Sequence, residues 1–313
     1  MRNLAYIMML ALSMLYLYAC EYKELEEDNI GVLSLTLVYD KVDSVPATFR
    51  VVFYPEDATT QAKIMQGYSL YDMGNDKKDF YLPAGQYHMV AWNIDTEHVF
   101  FSGYGNRNTL VAATSEIQTA EEDFIHVVDS IYEGQRICQY PDYMLHAATD
   151  VTILEGTQQS VSLGLDSMVV TIKYKMTGIK GLEACQQIMG AINNVEGKRY
   201  IDDEYRTEDK VTVLFNSQWD ADNHTVYGEF YVFGLSPMDE KKHVMTFFFY
   251  TEKGGVFIPI DVTEQVNINE EDGKVIHIDF PDMGIDIRDY LSKKSIFDVE
   301  VNEWQDVNID VGF

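Results

Sequence analysis

Of the groups in this chain that could react, the thiol of Cys20 has the most telling surroundings. Met1-Arg2-Asn3 carries positive charge, Leu4 to Ala19 is almost wholly apolar, and Glu21 to Asp28 is mostly acidic. A positive start, a short apolar core and a small residue at the break make a secretory signal peptide over residues 1–19. The apolar run is shorter than the roughly 20 residues that a membrane span needs. Cleavage before Cys20 would leave that residue with a new amine and a thiol, both able to carry acyl chains.

The other reactive side chains do not gather into a motif. Seven histidines (His88, His98, His126, His146, His224, His243 and His277) are scattered, mostly in strand-like runs, and there is no HExxH or GxSxG. Gly103-Tyr104-Gly105-Asn106-Arg107-Asn108 lacks the third glycine and the strand-to-helix setting of a dinucleotide site, so it reads as a loop. Asp220, Asp222 and Asn223 resemble the start of a calcium loop, but the glycine and the closing glutamate that such a loop needs are missing. Carboxylates are so abundant that adjacent pairs carry no information. Apart from Cys20 only Cys138 and Cys185 remain, and they could be one disulfide or two free thiols. Trp92, Trp219 and Trp304 are candidate sugar-stacking residues, although strands bury aromatics as a rule. No catalytic residue, metal site or cofactor is expected, and the chain reads as non-enzymatic.

The stretch Leu17-Tyr18-Ala19-Cys20 resembles a bacterial lipobox, with Tyr18 bulkier than is usual at its position. That resemblance implies an acylated Cys20 at the head of residues 20–29. One acyl chain holds a protein only marginally, whereas two or three make the anchor effectively permanent. The acidic run would be a solvated tether, and its place directly after the cysteine resembles the surface-export signal of Bacteroidota lipoproteins. A lipid-anchored, surface-exposed outer-membrane location follows as the expectation. The formal net charge of −28 argues against a nucleic-acid partner, whose phosphates it would repel.

The elements that must position these groups read as strands almost throughout. Val32 to Tyr39, Phe49 to Tyr54, Lys78 to Leu82, Gln86 to Ile94, His98 to Phe101, Phe124 to Val128 and Tyr143 to Ala147 form a first set. Met168 to Met176, Thr212 to Phe215, Thr225 to Phe233, Val244 to Tyr250, Val256 to Val262, Val275 to Phe280, Phe297 to Val301 and Val307 to Val311 form a second. Lys253-Gly254-Gly255 is the clearest hairpin turn. Lys180 to Ala191 is the best helix candidate. Around Trp92, Tyr87, Met89 and Ala91 alternate with Val90, Trp92 and Ile94, both sets apolar, so this should be a central strand covered on both sides. The fold class is all-β. A boundary near the turn-forming Glu155-Gly156-Thr157 divides it into a β-sandwich over 30–160 and another over 161–313.

Leu82-Pro83-Ala84-Gly85-Gln86-Tyr87-His88-Met89-Val90-Ala91-Trp92-Asn93, the Phe230-to-Leu235 strand, the hairpin ending Ile260-Asp261-Val262-Thr263 and the finish at Trp304-Gln305-Asp306-Val307-Asn308-Ile309 together resemble the fimbrillin-associated anchor lipoproteins of Bacteroidota. The resemblance implies two tandem transthyretin-like sandwiches at the base of a surface fimbrium, with fimbrial subunits or other surface β-sandwich proteins as partners. It also implies assembly by β-strand complementation, in which backbone hydrogen bonds give affinity and alternate side chains give register. Since an acylated N-terminus cannot be donated, the contact would be a groove or edge elsewhere, or the C-terminal run with Val307, Ile309, Val311 and Phe313 on one face. The rival expectation is a surface glycan-binding lipoprotein serving a nutrient importer, which exposed coplanar aromatics would favour.

Overall fold

Period-two burial is the pattern that organises this chain, and it places most apolar runs in strands. A computed structural model describes residues 29–42, 44–117, 135–202, 207, 209–235, 242–269 and 274–293. The strands are, in order, β1 (Ile30–Val38), β2 (Thr48–Pro55), β3 (Ser69–Gly74), β4 (Lys78–Pro83), β5 (Gly85–Asn93), β6 (Val99–Ser102), β7 (Val111–Thr114), β8 (Arg136–Gln139), β9 (Leu145–Ile153), β10 (Gln158–Gly164) and β11 (Asp166–Ser167). There follow β12 (Val170–Met176), β13 (Ile179–Lys180), β14 (Cys185–Glu196), β15 (Lys198–Tyr200), β16 (Lys210–Asn216), β17 (Gln218–Asp220), β18 (Thr225–Val232), β19 (Val244–Thr251), β20 (Gly254–Asp261), β21 (Val275–Phe280) and β22 (Ile285–Asp286). Among the described residues, three short α-helices, α1 (Ala58–Lys63), α2 (Thr263–Asn269) and α3 (Ile287–Lys293), fill connections. The architecture is all-β, as the sequence indicated.

A three-stranded sheet, β10-β1-β4, faces a five-stranded one, β11-β9-β5-β2-β3. Leu33, Leu35 and Leu37 of β1 meet Phe49, Val51 and Phe53 of β2 and Tyr87, Met89 and Ala91 of β5 in one core. The opposite face of β5 is equally dry. Val90 and Trp92 pack with Val52, Leu110, Ala112 and Met144, and with Met168, Val169, Ile201 and Phe233 from later in the chain. The expectation of a doubly covered strand around Trp92 therefore holds. Ends of the sheet are tied locally: Asp57 caps α1 by accepting from the Thr60 amide at 2.7 Å.

Further along, β20-β19-β14-β16-β8 stacks on β17-β18-β12-β21. Between them Phe215 and Phe230 stack at 4.1 Å, and the Tyr174 hydroxyl donates to Ser217 Oγ at 2.7 Å. Ile172, Tyr174 and Met176, two residues apart along β12, all face this core. The expected β19–β20 hairpin forms, turning through Glu252 and Lys253, with Gly254 already paired to Thr251.

Two expectations change here. Lys180 to Ala191 is not a helix: Leu182–Ala184 forms one 3-10 turn, and Cys185 onward is β14, hydrogen-bonded to β16 on one side and β19 on the other. Long-range pairing and burial override local helix preference. Gly190 shows why, since a Cβ there would lie 2.1 Å from the Phe215 ring. The division near residue 160 falls inside β10, whose Gly164 still pairs with Val38, and β11 still pairs with β9. The two sets of sheets also exchange strands. β8 runs parallel to β16 in the later sheet, while β15 pairs with β7 in a three-stranded sheet, β15-β7-β6, that covers β5. The strand-like runs Phe124 to Val128, Phe297 to Val301 and Val307 to Val311 lie outside the described residues.

Gly190→Ala is expected to destabilise the protein by about 1–3 kcal/mol, because the Phe215 ring is held by its stack on Phe230 and cannot yield without strain. Urea unfolding would show this as a lower midpoint with an unchanged slope.

Candidate functional site

Cys20 and the C-terminal residues Val307, Ile309, Val311 and Phe313 lie outside the described residues. What the structure does describe are the sheet edges where a partner strand could add, and a polar cluster where the two sets of sheets meet.

Four of the sheet edges, those of β20, β21, β8 and β3, are obstructed by their own chemistry. In β20, Pro259 has no amide hydrogen to offer. Beside β21, the Asp279 amide donates to Gln265 Oε1 on α2 at 2.9 Å. The outer side of β8 is taken by Ser115 and Ile117, through Gln139 N to Ser115 O at 2.9 Å and Ile117 N to Ile137 O at 3.0 Å. At β3, the Asp72 carbonyl accepts from Lys78, and the Tyr71 ring closes on Phe80 of β4 at 5.2 Å. Strand β10 is different. It pairs with β1 on one side, and among the described residues its other backbone edge has no partner. Its outward residues Ser160 and Ser162 are small and exposed, while inward-facing Val161 is only half-buried against the core. A three-stranded sheet opposite a five-stranded one leaves room for a further strand there.

The polar cluster sits at the rim of the core behind β5. Tyr54, His88 and Asp150 are direct cross-strand neighbours on β2, β5 and β9. His88 Nδ1 lies 2.5 Å from Asp150 Oδ1, and Nε2 lies 2.5 Å from Oδ1 of Asp202, which follows β15. The Asp202 hydrogen bond raises the proton affinity of His88, burial opposes it, and Asp150 adds to the rise. Nearby, His146 donates from Nδ1 to the Ile201 carbonyl at 2.7 Å. Here burial dominates and lowers the proton affinity of the ring, assisted by Arg199 and Lys274 against the Ile201 carbonyl and Asp166. Arg199 in turn donates to the Met168 and Phe233 carbonyls, at 2.9 Å each.

The remaining candidates find ordinary places. Trp92 is fully buried and Trp219 packs on the later core, while Trp304 lies outside the described residues. Asp220 and Asn223 close the β17–β18 turn, with the Asn223 amide and side chain both donating to the Asp220 carboxylate. Cys138 and Cys185 are free thiols. Burial, with help from Glu183, pushes the Cys185 thiol up to about 11, so it is protonated at neutral pH. A groove of about 510 Å³ beside it is lined by Glu183, Thr251, Glu252 and Arg288, and Arg288 is already engaged with Asp286 and Glu183.

These features define an all-β protein of stacked, strand-exchanging sheets, with an edge on β10 that is unpaired among the described residues. The chain belongs to the family described as "Domain of unknown function (DUF5119)", which matches residues 19–216. It is 25% identical over 199 residues to the "Putative fimbrium anchoring subunit Fim4B" of Bacteroides ovatus. That match takes in 62% of this chain but only 55% of the relative's length. Among solved structures, a "putative adhesin" from Bacteroides ovatus superposes with a TM-score of 0.61 at 18% identity, covering 82% of this chain and 92% of that one. "Putative polysaccharide binding proteins (DUF1812)" from Bacteroides thetaiotaomicron superpose with a TM-score of 0.51 at 12% identity, covering 80% and 91%. At these identities the two structures speak for the fold.

His146 generates a prediction about acid. An unfolded histidine takes up its proton near pH 6.5, and the folded ring takes it up only at lower pH, so stability contributed by this site is complete above that range and falls as pH drops through it. His146→Gln keeps a donor for the Ile201 carbonyl but cannot titrate. Between pH 7 and pH 5 the wild type is expected to lose stability relative to H146Q, read as diverging urea midpoints.

Proposed function

We propose that this chain is a non-enzymatic, cell-surface lipoprotein that anchors or assembles a fimbrium-like adhesive filament. Acyl chains on Cys20 would hold it in the outer membrane, with residues 20–29 as the tether. Its two sandwich units would be joined at Leu165–Met168, where the chain leaves the first set of sheets. Partners would be fimbrial subunits or other surface β-sandwich proteins, bound by β-strand addition. The observation that carries this reading is the bare edge of β10 beside a half-buried Val161. The likeness to a fimbrium anchoring subunit supports the choice of partner.

Two strand surfaces would serve the assembly. An incoming strand would extend the β10-β1-β4 sheet, adding backbone hydrogen bonds and covering Val161. The C-terminal run would present Val307, Ile309, Val311 and Phe313 from one face. The glycan-binding alternative has the polysaccharide-binding neighbour in its favour. Against it, Trp92 is buried, and the exposed aromatics Tyr81, Phe100 and Tyr227 lie on β4, β6 and β18, strands of three different sheets. They do not make a shared stacking platform.

Crosslinking the tagged lipoprotein in intact native cells, followed by mass spectrometry, tests both surfaces. Secreted two-sandwich subunits are expected with the wild type. Their recovery should fall on truncation after Asp306. It should also fall with Ser160→Lys and Ser162→Lys together, because lysines on an edge oppose strand addition. Unchanged recovery with both variants would remove strand addition from the proposal. Capture of a large outer-membrane transporter with glycan-binding lipoproteins, and no such subunits, would replace it with sugar capture.

A further inference from the structure

Glu56, His88 and Asp150 each place one ligand atom within 4.8 Å of the others'. Sequence reading had found no metal site here, because the three residues come from the end of β2, from β5 and from β9. Register brings them together: His88 pairs with Asp150 directly, and the Glu56 amide donates to the Gln86 carbonyl at 2.9 Å, which holds Glu56 against the same strand.

The two sides of the imidazole are unlike. Asp202, on the Nε2 side, has a side chain only 11% exposed, and its second oxygen has Arg107 Nε at 3.9 Å. It is a fixed acceptor for Nε2–H. On the Nδ1 side, Asp150 is 73% exposed and Glu56 is exposed as well, so both carboxylates can turn without disturbing the core. A buried carboxylate that fixes one ring nitrogen while the other faces open carboxylates is the arrangement by which proteins orient a metal-binding histidine. Three carboxylates against one arginine leave the cluster negative whenever the ring is neutral. A second observation sits in the same cross-strand row. The Tyr54 hydroxyl, on a residue 7% exposed, has no hydrogen-bond partner, and it feels the Asp202 charge.

We propose that Glu56, His88 and Asp150 form a binding site for a divalent transition-metal ion, with Asp202 as the carboxylate that orients His88. His88 would contribute Nδ1, and Glu56 and Asp150 one oxygen each. Water would complete the coordination. One nitrogen and two oxygens without sulfur suit Zn²⁺, whereas Ca²⁺ and Mg²⁺ favour all-oxygen sites. The cation would sit between His88 Nδ1 and Asp150 Oδ1, in place of the direct contact they make at 2.5 Å. Because Asp202 belongs to the later part of the chain, the ion would clip the segment after β15 onto β5. The inference does not depend on the filament reading, since it rests on this cluster alone.

The test is calorimetric titration of the full chain with Zn²⁺, then with Ca²⁺ and Mg²⁺, together with thermal unfolding in each. One Zn²⁺ per chain is expected, with a higher Tm. Glu56→Gln should weaken binding at least about tenfold while leaving the metal-free Tm unchanged, since no partner of this exposed side chain is lost, whereas Asp150→Asn should weaken binding by a similar factor and also lower the metal-free Tm, because it removes the carboxylate partner of His88 Nδ1. Asp202→Asn should weaken it by roughly 10–100-fold through the orientation of His88. No saturable Zn²⁺ binding, or Zn²⁺ binding that E56Q and D150N leave intact, would overturn the site. Tighter binding of Ca²⁺ than of Zn²⁺ would overturn the assignment of the nitrogen ligand.

Discussion

Strand β5 is buried on both faces, and a strand in that position cannot slip. Shifting its register by one residue would exchange Tyr87, Met89 and Ala91 with His88, Val90 and Trp92. His88 and its carboxylate partners would then point into the apolar core against β1, where an ionisable group without partners is very costly. Each large apolar side chain buried here contributes about 1.5–3 kcal/mol, so the two dry faces reinforce one another in choosing a single alignment. Strands β2 and β9 take their register from β5. Through them the placement of α1, of the three-stranded sheet opposite and of the polar rim is settled.

The junction behind β5 is more than a contact between successive units. Two strands cross it in opposite senses, β8 forward into the later sheet and β15 back onto β7. Trp92 and Phe233 share one core there, and around it lie buried or half-buried polar groups: Arg199 on two carbonyls, His146 on a third, His88 between two carboxylates. Such an arrangement resists separation, because pulling the halves apart exposes apolar surface and strips donors from carbonyls together.

Edges explain how a protein so rich in strands avoids pairing at random. Proline in β20, a glutamine beside β21 and a bridging segment beside β8 each remove hydrogen-bonding positions. With those edges obstructed, the β10-β1-β4 sheet keeps open edges among the described residues, and a strand added at β10 would continue a sheet that is narrower than its partner. Specificity in strand addition comes as much from closing the wrong edges as from opening the right one.

Local periodicity in the sequence was enough to determine that this chain is all-β, that β1, β12 and β21 alternate, that the Lys253–Gly255 turn makes a hairpin, and that the Trp92 strand is covered on both sides. Those features depend on side chains two residues apart. The residues of β14 were misread as helical because their strand character comes from β16 and β19, and Gly190 is a glycine because of Phe215, a distant residue in sequence. The pairing of β10 with β1, far upstream, is likewise invisible to local pattern. His88 was visible only as one histidine among seven, since its partners Asp150 and Asp202 stand 62 and 114 residues away. Sheet register alone brings them within 2.5 Å, and register is a property of paired strands that no single stretch of sequence contains.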